Sequence, residues 1–173
     1  MSQPSPTCLP QGNAAFATSL AMLLLRLALG AVFIYHGSQL CFGAFDGPGV
    51  AKFAQMMEEK HLPLLPATAW AYMAAYGEFL GGCGVFLGLL ARLATLPLIV
   101  TMLVAIATVH AKNGFSMQNG GYEYNVVLIA IAAAILLVGP GLVSVDAFLF
   151  PKGLWACGPQ PLGDPQKGSA SNN

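Results

Sequence analysis

Four long apolar blocks, separated by short polar segments, constrain this sequence more than any other feature. Each is close to the roughly 20 apolar residues that a helix needs to cross the hydrocarbon core of a membrane. We call them spans one to four. The sequence therefore predicts an all-α fold, an integral membrane four-helix bundle. The spans run from about Ser19 to Phe42, Pro66 to Leu90, Leu93 to Ala111 and Tyr122 to Val138.

The composition excludes an ordinary soluble enzyme. Hydrophobic residues make up 56% of the chain and charged residues 8%, against roughly 25% charged in soluble globular domains. A soluble surface needs far more charge than this. The seven basic and seven acidic residues cancel, so no basic patch of the kind that binds nucleic acid is expected. The expected surroundings are the lipid bilayer, with no nucleic acid as a partner.

Polar tails flank the spans. Residues 1–18 are rich in Ser, Pro and Thr and lack the positive residues of a secretory signal, so a disordered N-terminal tail is expected. Residues 151–173 have a similar composition and are predicted to form a second disordered tail. The four-span domain then covers residues 19–150. Within it, residues 43–65 mix apolar and charged positions, which predicts a short interfacial helix on the membrane surface between spans one and two.

An even number of spans places both termini on one side of the membrane, which we call the terminal side; the opposite side is the loop side. Basic residues are divided almost equally between the two sides, so the positive-inside rule discriminates weakly. The acidic residues Asp46, Glu58 and Glu59 fall on the loop side. We therefore expect a multi-pass protein of the cell (inner) membrane with both termini in the cytoplasm.

Span two carries a stripe of small residues at spacings of three and four. In lipid, such a stripe lets two helix backbones approach closely. One interpretation is an interface with a second copy of the chain, which would give a homo-oligomer. The other, which we favour, is packing against a neighbouring helix of the same chain. The stripe consists of Ala74, Gly77, Gly81, Gly84 and Gly88.

Two charged residues lie inside the spans. A charge at membrane depth costs about 2.5–3.5 kcal/mol even on the mildest scale, so each needs a partner. Arg26 lies about two turns into span one and Glu78 about three turns into span two, which runs the opposite way. The sequence predicts that Arg26 and Glu78 form an intramembrane ion pair, either as an assembly clamp or as part of the chemistry.

A second polar group collects at the loop-side boundary, where odd spans end and even spans begin. Imidazoles, a carboxylate and phenols in one place can bind a quinone head group or relay protons. Tyr and His at a membrane boundary are also common as plain interfacial anchors. No third strong ligand at fixed spacing accompanies the two histidines, so no metal site is predicted. The candidate residues are Tyr35, His36, His110, Tyr122, Glu123 and Tyr124.

Six motifs occur in order along the spans, and together they resemble the DoxX family of small four-helix membrane proteins. The resemblance covers about Leu24 to Leu149. One departure is Gln39, where a Lys is usual in the family soon after the His-Gly pair. The motifs are R-x9-H-G (Arg26 to Gly37), E-F-L-G-G (Glu78 to Gly82), G-L-x-x-R (Gly88 to Arg92), H-A-K-N-G-F (His110 to Phe115), G-Y-E-Y (Gly121 to Tyr124), and G-P-G followed by S-V-D (Gly139 to Asp146).

The resemblance implies a role in redox chemistry. Some members of the family are membrane subunits associated with quinone-linked sulfur-compound oxidation, and others are partners of oxidative-stress proteins. The first hypothesis is therefore a membrane-embedded, oxidoreductase-associated component of a redox system that handles quinone. The four cysteines form no C-x-x-C pair, and no haem, flavin or iron–sulfur pattern is present, so no built-in cofactor is expected and redox partner proteins would supply electrons. The competing hypothesis is a non-catalytic membrane scaffold, carrier or assembly factor.

Overall fold

The computed structural model describes residues 11–60 and 63–149, with side chains from residue 15 onward. Within these ranges all regular secondary structure is helical, as the sequence predicts. Short 3₁₀ turns connect some of the helices. The helices are α1 (Gln11–Phe42), α2 (Gly49–Glu58), α3 (Ala67–Leu87), α4 (Ala91–Ala105), α5 (Glu123–Val138) and α6 (Val145–Leu149).

Helix α1 begins earlier than the sequence predicts. It starts at Gln11, so residues 11–18 are helical rather than part of the expected tail. Alanines in this stretch favour helix, and no proline follows Pro10 to interrupt it. The remaining tail residues, 1–10 and 151–173, lie outside the described part of the chain.

The short helix expected between spans one and two is present as α2. Its Ala54 and Met57 are buried against Ala71 of α3, with Phe53 and Ala67 packed around them. The opposite face carries charged residues such as Lys52 and Glu58, which are exposed. This two-sided character explains why the segment docks along the loop-side half of α3.

Helices α3 and α4 form a tight antiparallel hairpin. Gly88 ends α3 in the left-handed conformation, with φ of 71°, which a glycine adopts without steric cost. Leu90 also has a positive φ, 45°, before α4 begins at Ala91. A turn of so few residues keeps the two helices antiparallel and in contact.

Helix α4 is irregular. Pro97 lies inside it, and a proline removes one backbone hydrogen bond from a helix interior. Beyond Ala105 the helix widens into one π-helical turn, Ile106–His110, followed by the 3₁₀ turn Ala111–Asn113. Such π turns occur frequently at functional sites, and here both irregularities lie along one cavity described below.

The long helices pack in sequence order around a common centre: α1 against α3, α3 against α4, α4 against α5, and α5 against α1. Two stretches, Ala15–Phe42 and Ala91–Asn113, are long and apolar enough to cross a membrane. Helix α5 is apolar but shorter, at 16 residues. The buried core consists of Leu29, Phe33, Val85, Ala91, Leu98, Leu128, Ala132 and Ile135.

Candidate functional site

Glycine contacts between α1 and α3 determine which residues of the two helices lie at the same level near the candidate site. A Cβ atom on Gly30 would lie 2.6 Å from the Cβ of Phe86, and one on Gly37 would lie 2.5 Å from the backbone nitrogen of Phe79. Only glycine permits backbones this close. Because the helices are antiparallel, these two contacts bring Gly37 and its neighbour His36 to nearly the depth of Glu78. Gly37 enters the sequence prediction only as the end of the R-x9-H-G motif, and Gly30 does not enter it; their seven-residue spacing was the available signal for a packing role.

The small-residue stripe on α3 packs mainly against α4 of the same chain. A Cβ on Gly77 would lie 3.3 Å from the Cβ of Pro97, and one on Gly84 would lie 2.8 Å from the Cβ of Ala94. Gly81 faces Leu98 at a similar distance, 2.8 Å. The contacts agree with the favoured interpretation of the stripe as an intrachain packing surface.

The residues at the two ends of the stripe have neighbours other than α4. Gly88 caps α3 beside the guanidinium group of Arg26 and the side chain of Ser144. Ala74, at the other end, lines a cavity between the helices. The stripe is therefore one packing surface with a cap at one end and a cavity wall at the other.

The predicted ion pair between Arg26 and Glu78 is wrong. Arg26 is 1% exposed, and its guanidinium group donates to four backbone carbonyl oxygens instead. The Nε atom lies 3.0 Å from the oxygen of Val85. The other distances are 3.1 Å to Phe86, 2.8 Å to Pro140 and 2.7 Å to Val143.

The partners of Arg26 explain the error. Val85 is seven residues beyond Glu78 on α3, which is about 10 Å along a helix. The carbonyls of Val85 and Phe86 belong to the last turn of α3, where the regular intrahelical hydrogen bonds end. The N–H of Gly88 reaches Val85 at 3.1 Å, and Arg26 supplies further donors to both carbonyls, at a helix end where the dipole favours a positive charge. The structure therefore supports the clamp interpretation of Arg26, with backbone carbonyls in place of a carboxylate.

Other charged side chains complete the helix ends on the terminal side. The Asp146 carboxylate accepts hydrogen bonds from the backbone N–H groups of Leu90 and Ala91, at 2.7 and 3.1 Å, and so caps the start of α4. Arg92 donates to the carbonyls of Leu137 and Val138, at 3.2 and 3.3 Å, at the end of α5. These charged side chains therefore form hydrogen bonds with backbone groups at helix ends.

The loop-side half contains a cavity of about 730 Å³ between α1, α3, α4 and α5. Part of its wall comes from α2, through Phe53 and Met57. Most of the lining is apolar, with a few polar groups at fixed places. This combination is typical of small-molecule sites.

The polar groups of the cavity lie at two levels. At the inner level are Glu78, Thr101 and, from α1, His36. The Glu78 carboxyl is buried, 7% exposed, and the Thr101 hydroxyl, which donates to the Leu98 carbonyl of its own helix, is its polar neighbour. At the outer level, toward the loop side, are His110 and Tyr124. The apolar wall between the levels includes Met73, Ala74, Val100 and Val104.

Three of the six residues in the predicted boundary cluster line this cavity: His36, His110 and Tyr124. The other three stabilise nearby backbone or aromatic contacts. Glu123 accepts a hydrogen bond from the backbone N–H of Met117 at 3.0 Å. Tyr122 packs edge-on against Phe115, and Tyr35 stacks on Phe45 with ring centroids 4.9 Å apart. The structure thus divides the predicted cluster into cavity residues and loop residues.

Several polar residues of the cavity were not predicted from the sequence, Thr101 and Asn125 among them. Thr101 lies 3.1 Å from the carbonyl of Leu98 in its own helix, and the amide of Asn125 donates to the sulfur of Met102 at 3.3 Å. Asn125 is buried, 6% exposed. A polar amide side chain within an apolar span was the sequence signal that could have identified it. Within the described residues, no group of three or more His, Cys, Asp or Glu side chains could hold a metal ion.

The structure describes an all-helical protein with two membrane-length apolar stretches and a largely apolar cavity between its helices. The chain belongs to the DoxX family, whose model matches residues 21–111. This membrane-associated family is the one that the sequence motifs resemble.

Two curated proteins illustrate the relationship. The chain is 32% identical over 131 residues to the Bacillus subtilis protein named "Putative oxidoreductase CatD", covering 76% of this chain and 88% of the relative. It is 24% identical over 144 residues to an uncharacterized protein of Haemophilus influenzae, covering 82% of this chain and 89% of that protein. No solved structure matches the chain.

Proposed function

We propose that this protein is the membrane-embedded, ligand-binding component of a redox system, and that a quinone occupies the cavity between its helices. In this proposal the four long helices cross the cell (inner) membrane with both termini in the cytoplasm. The cavity then lies in the half of the membrane away from the cytoplasm. A ligand that partitions into lipid can enter it without crossing water.

The cavity is the observation that carries this proposal. Its volume of about 730 Å³ falls within the roughly 300–1,000 Å³ of small-molecule sites. Its apolar walls suit an isoprenoid or alkyl tail, and its polar groups suit the oxygens of a head group. A folded membrane protein fills most of its interior, because lost contacts destabilise it, so an internal space of this size needs an occupant.

The redox part of the proposal is supported by the family and by the name of one relative, an oxidoreductase. The described residues offer no three-residue metal cluster, and the sequence has no pattern for haem, flavin or iron–sulfur binding. Electrons would therefore pass between the bound quinone and partner proteins.

The alternative is a non-catalytic scaffold, carrier or assembly factor. Its main support in the sequence is the small-residue stripe on α3, which a partner could use. In the structure Gly77, Gly81 and Gly84 contact α4 of the same chain, so this surface is already occupied. The stripe therefore gives the scaffold hypothesis less support than the cavity gives ligand binding.

A binding titration tests the proposal. A short-chain quinone is added to the purified protein in lipid nanodiscs, beside two variants with the same substitution. Ala74→Phe places a ring in the cavity, whereas Ala130→Phe places one on an exposed face of α5. We expect saturable binding to the wild type and to Ala130→Phe, and loss of binding in Ala74→Phe. Absence of saturable binding to folded wild-type protein, or unchanged binding to Ala74→Phe, would contradict the proposal.

A further inference from the structure

The geometry points to the inner end of the cavity, at Glu78, Thr101 and His36, as the head-group site, and to a hydroxyl-bearing amphiphile such as a quinol as its ligand. This inference rests on the proposed function, because it presupposes a ligand in the cavity. It differs from the sequence-based expectation, in which His36, His110, Glu123 and the neighbouring tyrosines held the head group at the loop-side boundary. Of that group, the inner site keeps His36.

Glu78 is the strongest part of the argument. Its carboxyl is buried in an apolar wall, and a buried carboxyl without hydrogen bonds is costly. A carboxylate offers about four acceptor sites, and within the described residues its polar neighbour is the Thr101 hydroxyl. The single proton of that hydroxyl is donated to the Leu98 carbonyl, at 3.1 Å. Most of the hydrogen-bonding capacity of Glu78 is therefore open to a group inside the cavity.

His36 provides a second open group at nearly the same depth. The contact between Gly37 and Phe79 places His36 beside the level of Glu78, and both line the cavity. In the described part of the chain, the contact of the His36 ring is an edge-on one with Tyr35, at 5.4 Å between centroids. No hydrogen bond there uses its ring nitrogens, so they remain available to a ligand oxygen.

Two polar groups at the outer end, His110 and Trp70, are already engaged. His110 Nδ1 lies 2.7 Å from the carbonyl oxygen of Gly120, which also accepts from Asn113 at 3.1 Å. The Trp70 indole donates to the carbonyl of Pro63 at 3.2 Å. These contacts hold the loops of the outer end in place. The buried carboxyl and the imidazole at the inner end therefore offer a ligand more hydrogen-bonding capacity than His110 and Trp70 do.

The distance between the two ends suits an amphiphile. Trp70 and Glu78 are eight residues apart on α3, which corresponds to about 12 Å along the helix. The wall between them is apolar, with Met73 and Ala74 on α3 and Val100 and Val104 on α4. A tail lying along this wall points its head group at Glu78. A hydroxyl on that head group donates to the carboxylate, and its oxygen accepts from His36.

The test compares matched variants at the two ends. The probe is a short-chain quinol, kept reduced without oxygen, and its dimethyl ether, which cannot donate a hydrogen bond. Glu78→Gln removes the inner carboxylate, and Glu123→Gln makes the same change outside the cavity. Thr101→Val removes the inner hydroxyl, and Thr108→Val makes the same change further out on the cavity wall. His110→Ala probes the outer end.

We expect Glu78→Gln to weaken quinol binding about tenfold, as for loss of a hydrogen bond to a charged group, and Thr101→Val to weaken it about threefold. Glu123→Gln should bind as the wild type does, and Thr108→Val, further from the head group, should weaken binding less than Thr101→Val. The dimethyl ether should bind the wild type and Glu78→Gln equally weakly. Wild-type affinity in Glu78→Gln together with loss in His110→Ala would overturn the inner site and leave the proposed function standing. Absence of binding to the wild type would overturn both.

A photolabelling experiment on the wild type does not depend on the folding of any variant. A quinol that carries an azide on its ring, kept reduced without oxygen, is bound and illuminated, and the labelled peptides are identified by mass spectrometry. Labels in residues 75–82 or 97–102 are expected for a head group at the inner end. Labels confined to residues 105–124 would overturn the inference.

Discussion

The two halves of the protein differ in how they use polar groups. In the terminal-side half the Arg26 guanidinium binds four carbonyls and Asp146 caps α4, so each charge completes a helix end. In the loop-side half, Glu78 and His36 face a cavity. The comparison suggests a division of labour, in which one half holds the helices together and the other keeps space for a ligand.

The regularity of α4 follows the same division. Close glycine contacts between α1 and α3 occur in both halves, at Gly30 and at Gly37, and the fully buried Val85 and Ile135 lie in the terminal-side half. In the loop-side half α4 contains Pro97 and then a π-helical turn. These irregularities keep α4 from continuing as a regular helix along the cavity, at the cost of local packing.

The largest expected effect is at Arg26. Arg26→Met should lower the free energy of unfolding by at least about 4 kcal/mol, because four buried carbonyls each lose a charge-assisted bond worth about 1.5–3 kcal/mol. The loss of stability is measured by thermal unfolding in detergent and by the yield of folded protein. Arg92→Met is the control, since the bonds of Arg92 are longer and exposed. Equal losses in the two variants would remove the special role of Arg26.

An intermediate effect is expected from adding side-chain volume to α3, once in the packed core and once in the cavity. Ala75 is 0% exposed, and Ala75→Leu should cost about 1–3 kcal/mol through overpacking. Its neighbour Ala74 lines the cavity, so Ala74→Leu should change stability by less than about 1 kcal/mol, since the new atoms enter open space. Unfolding curves of both variants give the comparison. A larger cost at Ala74 than at Ala75 would mean that the cavity is not open space.

The smallest expected effect is at the α4 cap. Asp146→Ala should cost about 1 kcal/mol, the usual value of a helix N-cap, because the N–H groups of Leu90 and Ala91 lose their acceptor. The loss should leave quinone affinity unchanged, since Asp146 lies in the other half. Glu58→Ala, an exposed position on α2, is the control for unfolding. A change in ligand affinity in Asp146→Ala would show that the two halves are coupled.

Much of the fold could be predicted from the sequence. The apolar blocks predicted the bounds of the long helices to within a few residues, except at the start of α1. The mixture of charged and apolar residues in 43–65 predicted the short helix α2. Gly139-Pro140-Gly141 follows the end of α5, and Ser144 caps the start of α6 by accepting from the N–H of Ala147 at 3.1 Å. These features are local, since helix length and helix ends depend on residues close together in the chain.

The candidate site was predicted only in part. His36, His110 and Tyr124 line the cavity, but Glu123 supports a loop, and Glu78 belongs to the cavity rather than to Arg26. Whether two residues on different helices meet depends on the depth and rotation at which the helices pack. Here those follow from glycine contacts such as Gly37 with Phe79.

The sequence by itself determined the helical class, the order of the long helices, the family and the set of polar residues available inside the spans. Only the tertiary structure decided which of those residues share a cavity and what Arg26 binds. The reason is physical. Every residue carries the same backbone carbonyl, so residue type alone does not identify the acceptors of Arg26, which are Val85, Phe86, Pro140 and Val143. Packing alone brings their oxygens to one guanidinium group.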